Sequence, residues 1–83
     1  MKVRINITLK KAVLDTQGKA IENALVKNLG FEQISKVRQG KLIELEIAEE
    51  DKQKAAQIID EICDKLLVNK VIEDYSFQLL DKS

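Results

Sequence analysis

Between residues 2 and 10 apolar and polar side chains alternate one for one. Val3, Ile5, Ile7 and Leu9 fall on one side, and Lys2, Arg4, Asn6, Thr8 and Lys10 on the other. A period of two with β-branched residues predicts a strand with one wet face. After a loop through residues 11–14 the period lengthens. Ala20, Ile21, Ala24, Leu25 and Leu29 recur at helical spacing, which predicts an amphipathic helix. Asp15 stands where an N-cap belongs, and Gly30 where a left-handed residue ends the helix. Residues 31–38 read as a second strand with untidy alternation and room for a bulge. Gln39 and Gly40 then read as a tight turn, Gly40 supplying a positive φ. Across residues 41–48 Ile43, Leu45 and Ile47 alternate with Glu44 and Glu46, completing a predicted hairpin. Glu49, Glu50 and Asp51 place negative charge at the start of a second helix, where it complements the macrodipole. Ala55, Ile58, Ile59, Ile62, Cys63, Leu66 and Leu67 keep its stripe. Asn69 fits as a C-cap. Residues 71–80 form the last predicted strand, with Val71, Tyr75, Phe77 and Leu79 on one face.

This order, βαββαβ, predicts an α+β domain: an antiparallel sheet with two helices on one face, the ferredoxin-like plan or a close variant. One domain is expected over residues 1–83. The other sheet face would carry Arg4, Asn6 and Thr8 together with Leu42, Ile72 and Leu80, a mixture suited to a partner.

Size and composition change this picture in one respect. A chain of 83 residues buries a small core, and such domains lean on disulfides, metals or association. Cys63 is the only cysteine and there is no histidine, so no disulfide framework or zinc cage is expected. Association is left. Fourteen basic residues balance fourteen acidic ones, so no net field draws in nucleic acid. With 4% aromatic residues, no stacking platform for RNA is expected either. No apolar run approaches membrane-spanning length. One reduced cysteine and no export signal point to the cytoplasm.

Catalytic groups are sparse. Without histidine there is no triad and no imidazole base. Cys63 lies in the apolar stripe of the second helix, where a thiol reads as a small buried hydrophobe rather than a nucleophile. The carboxylates Glu44 with Glu46, and Glu73 with Asp74, read as a solvated face. Gly18, Gly30 and Gly40 stand far apart and form no phosphate-cradling loop. No catalytic, cofactor-binding or metal-binding residue is expected on this chain.

Three segments carry a family resemblance. Residues 66–75, LLVNKVIEDY, are similar to an LLxNxVIEDY pattern. Residues 37–41, VRQGK, are similar to VRxGK, and residues 13–18, VLDTQG, to VxDxxG, followed by Leu29 and Gly30. In this order, and across essentially all 83 residues, the chain resembles the small subunit (PurS) family of phosphoribosylformylglycinamidine synthase. Thr16 and Lys70 depart from it at positions where proline is frequent. The resemblance implies a PurS-like variant of the fold and a non-catalytic subunit of purine biosynthesis. It implies that the chain associates with itself as a homodimer or tetramer, and bridges a glutaminase subunit to a large synthetase subunit. The assembled ligase would use glutamine, ATP and Mg²⁺ to convert formylglycinamide ribonucleotide to formylglycinamidine ribonucleotide. The competing reading is an ACT-like dimeric domain that senses a small molecule, although that mode wants glycine-rich loops.

Within the motifs, Asp15, Gly18, Gly30, Gly40, Asn69, Glu73 and Tyr75 are taken as structural. Arg38 and Lys41, flanking the predicted turn, are candidates for contact with the larger subunits. Ile72 and Asp74, expected to point away from the helices, are candidates for a dimer interface.

Overall fold

The computed structural model describes residues 1–80. Strand β1 (Lys2–Leu9) lies at the centre of a three-stranded antiparallel sheet, between β2 (Gly40–Glu46) and β3 (Glu73–Leu80). Val3 stands opposite Leu45 and Leu79, and Ile5 opposite Ile43 and Phe77. Residues directly opposite in an antiparallel pair share a face, so apolar rows cross the sheet. Helix α2 (Lys52–Ile62) covers these rows. Ala55, Ile59, Cys63 and Val68 bury with Val3, Ile5 and Ile7, while Tyr75, Phe77 and Leu79 pack partly against this core. The opposite face is mostly polar, with Arg4 paired to Glu44 at 2.8 Å, and carries the expected Leu42 and Leu80 opposite Asn6 and Lys2.

Both helices begin on an aspartate and end in a widened turn. Asp51 accepts from the Gln53 and Lys54 amides at the start of α2. Asp15 does so for the Gly18 amide at the start of α1 (Thr16–Asn23). At the other ends, π-helical turns span Ala24–Asn28 and Cys63–Leu67, closed by the Leu29 N–H on the Ala24 carbonyl and the Val68 N–H on that of Cys63. Gly30, at φ 79°, then lets the Phe31 N–H return to the Leu25 carbonyl at 2.9 Å, stopping the first helix as expected.

Four expectations are corrected. Residues 31–38 do not join the sheet. Their apolar residues, Phe31, Ile34 and Val37, recur every third position, so no face is consistently dry. Lys36 also leaves the extended region at φ 57°. The segment links α1 to β2 without a ladder partner, and β2 pairs with β1 instead. Gly40 therefore opens a strand rather than a hairpin turn, and its φ is not positive. Asn69 is not a left-handed cap: its side chain accepts from the Val71 N–H at 3.1 Å, forming an Asx turn. That turn delays β3 to Glu73 and leaves Val71, expected inside, 82% exposed.

The helices also differ. Helix α1 buries only Gly18, and Ile21 and Leu29 on its stripe are 41% and 64% exposed. The chain is accordingly long and thin, 48 × 29 × 14 Å, with a radius of gyration of 16.2 Å. A compact chain of this length has a radius of about 12 Å.

Candidate functional site

The three sequence motifs converge at one end of the sheet in two knots, each centred on a carboxylate. In the first, Asp15 Oδ1 accepts from the Gly18 N–H at 2.8 Å and Oδ2 from the Gln39 N–H at 2.7 Å. The cap of α1 is thus also the anchor of the segment leading into β2. Gly18 is required here by proximity: a Cβ would stand 2.5 Å from Asp15 Oδ2 and 2.7 Å from the Val37 carbonyl oxygen. Arg38 closes the knot. Its Nη2 donates to the Leu9 carbonyl at 2.9 Å, and its Nε lies 4.0 Å from Asp15 Oδ2. These donors hold the Asp15 carboxyl below its ordinary value, the Gln39 amide most strongly and the Gly18 amide next, against the opposing effect of burial.

The second knot is Glu73, buried at the first position of β3. Its Oε1 accepts from the Asn69 N–H at 2.8 Å and its Oε2 from Lys41 Nζ at 3.1 Å. The Asn69 amide, then Lys41, lower its pKa while burial opposes them. The Asn69 carbonyl in turn takes the N–H groups of Ile72 and Glu73. Gly40 stands between the knots, where a Cβ would come within 2.6 Å of the Ile7 carbonyl oxygen. A cleft of about 240 Å³ separates Asp15 from Glu73, with Gln17, Gln39 and Lys41 on its walls.

Each candidate residue thus has a place. Asp15, Gly18, Gly40, Asn69 and Glu73 build the knots, and Gly30 ends the first helix. Tyr75 lies outside them, donating its hydroxyl to Asp60 at 2.7 Å, a bond that raises its pKa to about 12. Arg38 and Lys41 flank no hairpin tip; both are held by intrachain bonds. Ile72 lies in the turn before β3, 37% exposed, and Asp74 pairs with Lys10 at 2.8 Å. Two participants escaped the sequence reading. Glu22 accepts from the Val37 N–H at 3.0 Å, and Lys36 takes a left-handed backbone. Neither leaves a periodicity signal, since both act through residues 31–38, whose spacing of three matches neither a strand nor the helix before it.

Both knot carboxylates are ionised and engaged by donors on both oxygens, so neither is poised to pass a proton. Burial raises the Cys63 thiol, with Asp60 adding to the effect, which keeps it from the nucleophilic thiolate form. Among the described residues, no group of three or more Cys, Asp or Glu side chains could hold a metal ion. The arrangement fixes backbone segments against one another.

Comparison with known proteins accounts for that economy. The family model for PurS, phosphoribosylformylglycinamidine (FGAM) synthase, matches residues 2–81. The chain belongs to the PurS family. The PurS subunit of Synechocystis sp. is 45% identical over 76 residues, covering 92% of this chain and 75% of the relative. The Bacillus subtilis PurS subunit is 40% identical, covering 94% and 90%. In structure, the Thermotoga maritima PurS subunit superposes with a TM-score of 0.87 at 38% identity, over 95% of this chain and 90% of that one. A chain of the Thermotoga maritima PurLQS structure gives the same TM-score and identity, covering 95% of each. The α+β class and antiparallel sheet are therefore those of PurS proteins. Among the described residues no helix is long and apolar enough to cross a membrane.

Proposed function

We propose that this PurS chain is a non-catalytic subunit of phosphoribosylformylglycinamidine synthase and holds larger subunits of that enzyme together. The observation that supports the reading most is the use of the charged and glycine residues of the motifs, Asp15, Gly18, Gly40, Lys41 and Glu73, for scaffolding. The segments that mark the family are spent on two carboxylate knots that rigidify one end of a thin molecule, and none presents a reactive group. In this reading the chain joins a glutaminase subunit to a synthetase subunit in the cytoplasm. The complex uses ATP and Mg²⁺ on the synthetase to carry glutamine-derived nitrogen onto formylglycinamide ribonucleotide.

Self-association belongs to the same reading. The stripe of α1 is only partly covered within the chain, with Ile21 and Leu29 left exposed. Ile43 and Leu45 on β2 are only partly covered. A second copy would satisfy both. The outer face of the sheet is mostly polar and less suited to self-association, although it carries Leu42 and Leu80, and Val71 and Ile72 add an exposed apolar turn beside Asp74. Arg38 and Lys41 would act on the larger subunits chiefly by shaping the surface between the knots.

Size-exclusion chromatography with light scattering tests this reading. The chain alone is expected at a multiple of 9.4 kDa, falling toward one copy when Ile21→Asp and Leu29→Asp are combined. With both larger subunits present, all three proteins are expected in one peak. A monomeric wild-type chain that leaves the other two unjoined would contradict the proposal.

A further inference from the structure

Beside the Asp15 knot lies a second, more open cleft of about 450 Å³, lined by Lys11, Lys19, Lys36 and Arg38, with Leu14 and Asp15. Four cations thus gather in a chain whose net charge is zero. Asp15 offsets one of these charges, its Oδ2 lying 4.0 Å from Arg38 Nε, while both its oxygens are turned to the Gly18 and Gln39 amides. Lys19 has a loose partner in Glu22, 3.7 Å away. Lys11 and Lys36 have no carboxylate partner among the described residues. The scaffold also accepts a cost here. Lys36 holds φ at 57°, a region that residues other than glycine, asparagine and aspartate avoid, and such strain is characteristic of functional positions. Glycine would suit that backbone better and would lack the charge. Leu14, 74% exposed at the rim, adds an apolar contact.

From this we infer that the cleft docks an acidic segment of one of the larger subunits, its carboxylates among Lys11, Lys36 and Arg38 and an apolar side chain against Leu14. The inference rests on the bridging role proposed above and gives that role a specific contact. A protein segment fits better than a phosphate group. The cations are spread over an open cleft on flexible stems, and the exposed leucine offers a phosphate nothing.

The test is the affinity of the full chain for the purified glutaminase and synthetase subunits, measured by titration calorimetry across a range of salt. Lys11→Glu combined with Lys36→Glu is expected to weaken binding to one of them at least about tenfold at low salt. The dependence of affinity on salt should flatten as well. Arg38 and Lys19 are left in place because they also bond within the chain. Lys36→Gly provides the second reading: it should raise the melting temperature of the free chain while weakening the same interaction. Wild-type affinity and salt dependence in both variants would overturn the inference and leave the bridging role intact. Failure of the wild-type chain to bind either subunit would overturn both. A rise in melting temperature with inorganic phosphate, lost in the double variant while subunit binding is unchanged, would assign the cleft to a small anion instead.

Discussion

At the scale of single residues, Asp15 and Glu73 tie stability to pH with a definite sign. Both carboxyls titrate below their ordinary values of 3.8 and 4.5 in the folded chain. The unfolded chain therefore takes up protons first as the pH falls. The stabilisation from each is complete above its ordinary value and is lost as the pH drops through the lower folded one. Melting temperature should accordingly fall steeply below pH about 4. Asp15→Asn should melt lower than wild type at neutral pH, because the amide can satisfy only one of the two backbone donors. Its acid decline should also be shallower. A variant that tracks the wild-type profile throughout would remove Asp15 from this role. Asp15 was legible in the sequence as a cap, because capping is a local matter of three residues. Its second bond, to Gln39, joins positions 24 apart, and no local pattern encodes such a pairing. Glu73 read as part of a solvated acidic pair for the same reason: its register opposite Leu9 and its bond from Lys41 both come from other strands.

At the scale of elements, the close approach of α1 to the segment entering β2 depends on Gly18. Gly18→Ala would improve helix propensity yet place a methyl against Asp15 Oδ2 and the Val37 carbonyl. We expect a net loss of about 2 kcal/mol, read by urea denaturation, and equal or greater stability would mean the contact relaxes freely. The elements with a clean period, β1, β2 and both helices, lie where the alternation or the stripe places them. Strand β3 begins two residues later than its hydrophobic pattern suggests, since the Asn69 turn holds Val71 and Ile72 outside the ladder. The segment at 31–38 misled because β-branched and aromatic content resembled a strand while its spacing of three did not.

For the whole molecule, the sequence carries fold class and family but not shape. An apolar stripe on α1 says that the helix has a dry side; it does not say whether this chain or another supplies the cover. Here α2 covers the central strand and α1 projects, which makes a thin body with uncovered apolar surface at one end and a cationic cleft nearby. Such a body suits a subunit whose work is contact. The most direct test is to assay reconstituted synthase with glutamine and, separately, with ammonium as nitrogen donor, each with and without this chain. Glutamine-dependent formation of formylglycinamidine ribonucleotide is expected to require the chain, while ammonium-dependent formation proceeds without it. Equal glutamine-dependent activity in its absence would rule out a bridging role for the chain.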